Sequence, residues 1–558
     1  MFGLGCAVLT VYALSLCPDV YTIDSGELAT VSYTLGIAHP TGYPLYSLIS
    51  YFFAHLPGEP IRGLNLLSAL LSTCAAMFIY ALAQRVTKSR TMPFLVASLY
   101  AFSPIIWRSA VTNEVHPLTG LLACLLLFLL LDLGNDRRFF LFMYVCGLCF
   151  TNHMMVFALV LPAIIYAVTV HRLSMRRILI GLTFFGLGLS LYAYIITRTI
   201  GGAEFAWGNA ANLERLFWHV SGKQYQVWMF SQSASGIVRN SVHGIKLILG
   251  NFLYVLIIPS VFGFYVLYKK DRARFWLLVA TLVLNILYTI NYSIPDIEAY
   301  YIPSVIVLIL SFVYATTSIK KLLKPPVVLA AAVLMPVLNY RSCTLRDNHF
   351  GMDFARSHTV SLPDSSLLIA TYWDVCSPLL YLREVKKERT DLIVIDKELL
   401  RRTWYLEYLE REYPDFFASV RPQVDAYLVE LEKFEYGRPY VTQAIQARYV
   451  RMLESFVDAR LANGVYFASP WPDMDLNAVR PAYDRSPYGL VRRLDPGDVD
   501  VPFDFNRFDL ARPAIVNDMR VEYNLGIIRR MLIENADHLS RTGHPEEAAT
   551  ARRLMASF

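Results

Sequence analysis

The sequence predicts an α-helical polytopic membrane protein of about eleven spans with a C-terminal extracytoplasmic α/β domain that ends in a TPR-like helical hairpin. Apolar stretches of bilayer length recur through the first part of the chain. The short loops between them are basic in a regular alternation, and the composition turns polar after about residue 339. A hydrophobic content of 55% and a mean hydropathy of +0.40 over 558 residues argue against a soluble globular protein.

The apolar stretches define the predicted spans one by one. They are Phe2–Pro18, Leu64–Val86, Pro93–Val111, Pro117–Leu133, Phe139–Val170, Ile178–Thr197, Ile245–Tyr268, Phe275–Tyr292, Tyr300–Thr317 and Pro325–Leu338. The stretch Phe139–Val170 is long, and Thr151-Asn152-His153 interrupts it near the middle. It is therefore either one overlong helix or two spans that turn at these three residues.

The distribution of basic residues decides between these alternatives. The basic loops are Arg85/Lys88/Arg90, Arg137/Arg138, Arg172/Arg176/Arg177, Lys269/Lys270/Arg272/Arg274 and Lys320/Lys321/Lys324. Basic residues of short loops stay in the cytoplasm, and all five groups lie on one side only if Phe139–Val170 crosses twice. We therefore expect the N-terminus inside and the C-terminus outside. The expected location is the bacterial cytoplasmic (inner) membrane. The net charge of +6 is small for this length, so no nucleic-acid partner is expected. The apolar spans make membrane lipids expected partners.

The polar part of the chain has a soluble pattern with strand–helix–strand order. Strands are predicted at Ser366–Ala370, Asp391–Ile395, Val465–Ala468 and Leu490–Arg493, with a helix at Pro378–Lys387 and a long helical region from Lys397 to Leu461. Two amphipathic helices around Gly543 suggest one TPR-like hairpin. We therefore divide the chain into a transmembrane catalytic domain (1–339), an extracytoplasmic α/β domain (340–515) and a helical hairpin tail (516–558).

The acidic segment Asp24-Ser25-Gly26-Glu27 follows the first span on the predicted outer side. Two carboxylates three residues apart share one face of a helical turn. Low dielectric and mutual repulsion would push their pKa values apart, which suits one of them to act as a general base. The alternative is a helix start in which Asp24 is the N-cap and Glu27 completes a capping box.

Other polar residues collect on the same predicted side. His39-Pro40-Thr41-Gly42-Tyr43-Pro44 combines a tight turn with the start of a short interfacial helix, and it either serves only as a turn or presents His39 beside Asp24. Asn113-Glu114 and Asn152-His153 interrupt apolar patterns and are either binding residues or satisfied polar clusters between helices. Arg62, Arg108, Arg198 and Arg239 lie near outer span ends, where a guanidinium either snorkels to headgroups or binds a phosphate.

The sequence contains no metal-binding cluster of recognisable spacing, and His116 and His153 are isolated along the chain. No cofactor is therefore predicted with certainty. The Asp24/Glu27 pair could hold a divalent cation, so metal dependence is left open.

These residues carry a resemblance to a known family. The run from Tyr12 to Tyr46, with its P-x-x-x-x-x-D-S-G-E core and its L-G-I-A-H-P-T-G-Y-P-L-Y end, resembles the transmembrane protein O-mannosyltransferase-like family of the GT-C superfamily. Further matches are Arg62–Ala69, Glu114-Val115, Gly147–His153, Asp347-Asn348, Arg389–Asp391 and Thr403–Tyr405. The chain has Asn-His-Met at 152–154 where many relatives have Asn-His-His, so only His153 carries over.

The resemblance implies a GT-C-like fold and an inverting glycosyltransferase that moves a sugar, mannose by analogy, from a polyprenyl-phosphate donor to a protein or glycan hydroxyl. It makes Asp24 the general base and Glu27 its support, so these two are the candidate catalytic residues. The candidate substrate-binding residues are His39, Tyr43, Arg62, Glu114, Asn152 and His153. A transporter or flippase of lipid-linked sugars is the alternative, but it would show internal repeats and mid-membrane charges.

Overall fold

The computed structural model describes residues 1–171, 173–319, 324–468, 470, 472–497, 502–508, 510–513 and 518–558. The basic residues Arg172, Lys320 and Lys321 and the predicted boundary at 515–516 lie outside the described residues. The chain forms two compact units. Unit 1 comprises 1–18, 31–204 and 210–346, and unit 2 comprises 19–30, 205–209 and 347–558. The predicted domain boundaries stay predictions.

The chain up to residue 346 is almost entirely helical. Its α-helices are α1 (Phe2–Ala13), α2 (Ser25–Thr34), α3 (Pro44–Ala54), α4 (Pro60–Thr87), α5 (Met92–Ala101), α6 (Pro104–Ala110), α7 (His116–Leu130), α8 (Asp136–Phe150), α9 (Phe157–His171), α10 (Met175–Leu189), α11 (Ala193–Ile200), α12 (Leu213–Val220), α13 (Ala234–Asn251), α14 (Ile257–Lys270), α15 (Arg272–Ile290), α16 (Ile302–Ile319) and α17 (Pro325–Cys343). Proline at the first turn of α3 and α4 suits these starts, since its missing N–H would be unpaired there anyway.

Several of these helices are long and apolar enough to cross a membrane. Within the described ranges the helical stretches that qualify are Pro60–Thr87, Met154–His171, Met175–Ile200, Arg272–Ile290, Ile297–Ser318 and Pro325–Cys343, and shorter apolar helices accompany them. Large apolar side chains such as Leu179, Leu287 and Val337 are exposed on them. Exposed apolar faces of this extent require lipid, so the chain is an integral membrane protein. The predicted number of spans stays a prediction.

The structure confirms one predicted break and corrects two predicted spans. Helices α8 and α9 are separated at Thr151-Asn152-His153, followed by one 3₁₀ turn, Met154–Val156, as predicted. The predicted continuous span Ile245–Tyr268 is wrong, because α13 ends at Asn251 and α14 begins at Ile257. Leu253 and Tyr254 adopt positive φ between them, which no helix continues through. The predicted span Pro93–Val111 is likewise divided into α5 and α6, because Pro104 starts a new helix.

The C-terminal part of unit 2 is built around one mixed sheet. Its helices are α18 (Phe350–Ser357), α19 (Trp373–Glu384), α20 (Thr403–Glu412), α21 (Pro414–Glu435), α22 (Thr442–Arg460), α23 (Met474–Ala478), α24 (Met519–Arg541) and α25 (Pro545–Ser557). Its strands are β1 (Leu367–Ala370), β2 (Ile393–Asp396), β3 (Val465–Ala468), β4 (Asp484–Tyr488) and β5 (Val491–Asp495), in the order β2-β1-β3-β5-β4.

Strand β1 is the centre of the parallel half of this sheet. It pairs in parallel with β2 and β3, while β5 runs antiparallel to β3 and β4. Every residue of β1 and β3 is buried, which is typical of strands covered on both faces. The predicted strands β1, β2, β3 and β5 are confirmed. The sequence did not predict β4, an edge strand that contains Pro487.

The two last helices pack against each other as an antiparallel hairpin. The turn between α24 and α25 contains Gly543 at a φ of +89°, a left-handed conformation that glycine adopts at no steric cost. Its likeness to a TPR unit stays a prediction.

Candidate functional site

The acidic first loop belongs to unit 2, where it forms the start of α2. The carbonyl of Asp24 accepts from the Leu28 N–H at 2.8 Å, so Asp24 occupies the N-cap position. A capping box would direct the Asp24 side chain to the Glu27 N–H. That N–H instead donates to Ser377 Oγ at 2.9 Å. The side chain of Glu27 is fully buried, and that of Asp24 is half-buried.

The Asp24 carboxylate accepts a hydrogen bond from the C-terminal part of unit 2. The indole Nε1 of Trp373 lies 2.7 Å from Asp24 Oδ1. The next residue, Asp374, accepts from the Ile23 N–H at 2.9 Å through its Oδ1. Two consecutive residues at the start of α19 therefore hold two consecutive residues of the first loop.

The backbone of the first loop packs directly on α19 at Gly26. A Cβ at this position would lie 2.3 Å from the carbonyl oxygen of Ser377, which no side chain can occupy. The D-S-G-E pattern thus needs glycine for close approach, while Ser25 Oγ accepts from the Tyr21 N–H at 3.2 Å. The motif residues shape the loop and also supply its two carboxylates.

Unit 1 holds a group of aromatic polar residues, which we call the histidine–tyrosine cluster: His39, Tyr43, His116, His153, His219 and Tyr300. The Tyr43 hydroxyl lies 2.9 Å from His39 Nε2, and the Tyr43 ring stacks on His153 with centroids 5.7 Å apart. His153 lies 5.2 Å from His116 and 5.0 Å from Tyr300 between ring centroids. His116 and His153, which are isolated along the chain, meet because the fold brings the start of α7 to the turn before α9.

His219 completes this cluster and was not singled out from the sequence. It lies on α12, and a Cβ on Gly42 would come 2.9 Å from its Nε2 and 2.6 Å from Ile195 Cδ1. Burial, reinforced by the nearby His39, lowers the pKa of His219 to about 3, so its imidazole is neutral at physiological pH. Its Nε2 has no hydrogen-bond partner among the described residues. The only sequence signal was its position in the long loop between spans.

The remaining predicted binding residues take different positions in unit 1. The Asn152 amide donates to Val115 O at 3.1 Å and to Thr119 Oγ1 at 2.7 Å, which ties the 151–153 turn to α7. Glu114 is half-buried and close enough to Tyr46 to interact with its hydroxyl electrostatically. Arg62 is exposed in the first turn of α4.

The four arginines that were predicted near outer span ends differ in what their guanidinium groups contact. Arg108 donates to the carbonyl of Ser342, and Arg198 donates to the carbonyls of Leu35 and Thr34. Arg62 and Arg239 are exposed, and no hydrogen bond or ion pair joins either guanidinium to the described part of the chain. Two of the four arginines therefore support the backbone, and two have charges available to an anion.

Part of the chain is similar in sequence to a known protein family. Residues 24–177 match a family model described as the N-terminal domain of protein O-mannosyl-transferase TMEM260. The protein O-mannosyl-transferase TMEM260 of Mus musculus is 25% identical over 451 residues, covering 73% of this chain and 64% of the relative. The corresponding protein of Dictyostelium discoideum is 23% identical over 471 residues, covering 72% of this chain and 57% of the relative. The resemblance to the transmembrane protein O-mannosyltransferase-like family is confirmed.

The chain spans less than two thirds of the length of either relative. Among solved structures, ArnT from Cupriavidus metallidurans bound to undecaprenyl phosphate aligns with a TM-score of 0.45 at 11% identity, covering 86% of this chain and 78% of that one. The Archaeoglobus fulgidus oligosaccharyltransferase aligns with a TM-score of 0.38 at 13% identity, covering 70% and 62%. Neither TM-score reaches 0.5.

Proposed function

We propose that this chain is an inverting glycosyltransferase of GT-C type, which moves a sugar from a polyprenyl-phosphate donor to a hydroxyl of a protein or envelope glycan. The observation that carries the proposal is the match of residues 24–177, beginning at Asp24, to the N-terminal domain of a protein O-mannosyl-transferase. The names of both relatives favour mannose and a protein acceptor. No comparison favours a transporter.

The proposed reaction uses Asp24 as the general base. Its carboxylate removes the proton from the acceptor hydroxyl while that oxygen attacks the anomeric carbon of the donor sugar. The new C–O bond forms on the face opposite the phosphate, the bond to the phosphate oxygen breaks, and polyprenyl phosphate leaves with the electron pair. The anomeric configuration therefore inverts. Glu27 supports the loop that carries Asp24, since its N–H is fixed by Ser377 and its side chain is buried.

The leaving phosphate needs a cation, and we assign this role to Arg62. A guanidinium binds two phosphate oxygens at once, and the N-terminus of α4 adds partial positive charge beside it. Arg108 and Arg198 are less suited because each already donates to backbone carbonyls. Arg239 is equally exposed but lies near the start of α13 rather than within the matched region.

The histidine–tyrosine cluster supplies the sugar-binding groups in this proposal. Phenol and neutral imidazole can donate to and accept from sugar hydroxyls without adding charge. Tyr43 contacts both His39 and His153. Glu114 lies just before α7, and Asn152 lies in the turn between α8 and α9 and donates to Val115 and Thr119. In this proposal the reaction takes place on the extracytoplasmic face of a bacterial cytoplasmic membrane, and the positions of the basic loops support that orientation.

The test is Asp24→Asn in proteoliposomes with a polyprenyl-phosphate-mannose donor and a Ser/Thr peptide acceptor. The variant keeps the shape of the side chain and can still accept from Trp373, but it cannot take a proton. Transfer should fall at least about 100-fold, the usual contribution of a general base. The matched control is Asp19→Asn, the same change in the same loop at a residue that contacts His349.

Two outcomes would contradict the proposal. Full transfer by Asp24→Asn would remove the base assignment, and retention of the anomeric configuration in the product would remove the single-displacement mechanism. Adding EDTA to the same assay decides metal dependence: loss of transfer that Mn²⁺ or Mg²⁺ restores would show that the reaction needs a divalent cation, for which the Asp24/Glu27 pair is the candidate site.

A further inference from the structure

Trp373 and Asp374 lie at the start of α19, close after the end of strand β1. Strand β1 ends at Ala370, and α19 begins at Trp373 after a two-residue link. Residues at the carboxyl end of a parallel strand are well placed to act on a ligand or a neighbouring segment. In this chain that edge contacts the first loop, through Trp373 at Asp24 and Asp374 at Ile23.

We infer that Trp373 is a positioning residue for the Asp24 carboxylate and that Asp374 holds the loop that carries it. The inference rests on the proposed function, in which Asp24 is the base. The C-terminal part of unit 2 then helps to orient the carboxylate that takes the proton.

The chemistry of an indole suits this role. Its N–H only donates and does not titrate in the physiological range, so Trp373 can fix the orientation of Asp24 without competing for the proton. The bond is charge-assisted at 2.7 Å, which is the strong class of hydrogen bond. A hydroxyl or an imidazole in this position could donate equally well, but could also accept or exchange the proton.

The indole of Trp373 is itself held in place by other aromatic rings of unit 2. Trp207 packs edge-on against it with centroids 5.6 Å apart, and Trp404 lies 5.0 Å from Trp207. Trp207 and Trp404 are buried. Packing of this kind restricts the rotation of Trp373 and so keeps its N–H directed at Asp24.

Asp374 forms the second half of the arrangement. Its carboxylate is buried, and its Oδ2 accepts from Arg520 Nε and Asn524 Nδ2, both at 2.8 Å, while Oδ1 accepts from the Ile23 N–H. Ile23 has a φ of +61°, a left-handed conformation that is unfavourable for a β-branched residue. The hydrogen bond to Asp374 therefore stabilises a backbone conformation that the chain would not adopt unaided, directly before Asp24.

The test is Trp373→Phe, which keeps an aromatic ring and removes the N–H. In the proteoliposome assay kcat should fall about tenfold to a hundredfold, the effect of losing a hydrogen bond to a charged group, with KM for the donor unchanged within about twofold. The matched control is Trp404→Phe in the same aromatic group. The Trp404 N–H has no hydrogen-bond partner among the described residues, so its loss should leave kcat close to wild type.

A spectroscopic measurement tests the contact without using activity. In ¹⁵N-labelled protein the Trp373 indole N–H resonance is identified as the one that Trp373→Phe removes. It should shift markedly in Asp24→Asn, because a neutral amide replaces the carboxylate acceptor, and hardly at all in Asp19→Asn.

The outcomes separate the inference from the proposed function. Normal transfer by Asp24→Asn would contradict the proposed function, whereas an inactive Asp24→Asn with wild-type kcat in Trp373→Phe would overturn the inference alone. Equal losses in Trp373→Phe and Trp404→Phe would also overturn it, since they would show that only packing matters. An indole resonance that does not respond to Asp24→Asn would do the same.

Discussion

Gly42 shows at the scale of one residue how the histidine–tyrosine cluster is assembled. Its φ of +86° allows the chain to turn so that His39 and Tyr43 meet, and the space where a Cβ would stand is taken by Ile195 and His219. The residue types of His39–Pro44 predict a tight turn from the sequence alone. The approach of His219 was not, because it depends on a helix about 180 residues further along the chain.

Gly42→Ala should therefore destabilise the protein twice over, through the left-handed backbone and through the contact. The backbone contribution is about 1–2 kcal/mol, and the steric contribution adds to it. The control is Gly202→Ala, at a φ of +73° with nothing within 4 Å of the new Cβ. We expect a lower unfolding temperature in detergent for Gly42→Ala than for Gly202→Ala, and equal temperatures would contradict the proposed contact with His219.

At the scale of elements, α24 stabilises the first loop through the start of α19. Arg520 on α24 is the charged partner of Asp374, whose carboxylate is 1% exposed. A buried carboxylate that loses its cation is strongly destabilised. The distant C-terminal helix thereby supports the conformation of Ile23 and Asp24.

Arg520→Met should loosen the first loop locally. Removing one partner of a buried ion pair costs about 3 kcal/mol, which corresponds to roughly 100-fold faster exchange if the loss falls on local opening. Hydrogen–deuterium exchange of peptides that contain Ile23 measures this directly. The control is Arg530→Met on the exposed side of the same helix, and equal exchange in the two variants would disprove the link from Arg520 to the loop.

Helices and strands could be predicted where their own residues determine the conformation. Strands β1, β2 and β3 are apolar runs bounded by polar residues. Thr151-Asn152-His153 are polar residues inside a long apolar stretch, so the break between α8 and α9 could be predicted. At the break, the two residues with positive φ, Leu253 and Tyr254, are neither glycine nor proline, and Gly250 and Pro259 only flank them. Strand β4 is polar and contains Pro487. Packing with neighbouring elements decides such cases, so a local pattern could not reveal them.

At the scale of the whole molecule, contacts group the first loop with the C-terminal part and not with the spans that flank it in sequence. The resemblance found Asp24 and Glu27 as candidates because their motif is contiguous. The sequence did not indicate the contact of Trp373 with Asp24, because the two residues are 349 positions apart in the chain. A sequence reports residues that are neighbours in the chain, whereas the geometry around Asp24 depends on residues that become neighbours only on folding.

In the proposed reaction Asp24 is the base and Arg62 is the phosphate ligand of a lipid-phosphate-dependent transferase. A structure with a bound polyprenyl-phosphate-sugar analogue tests it most directly. We predict a phosphate oxygen within about 4 Å of the Arg62 guanidinium and the Asp24 carboxylate on the opposite side of the anomeric carbon. A phosphate bound away from Arg62, or Asp24 on the same side of the sugar as the phosphate, would contradict the account.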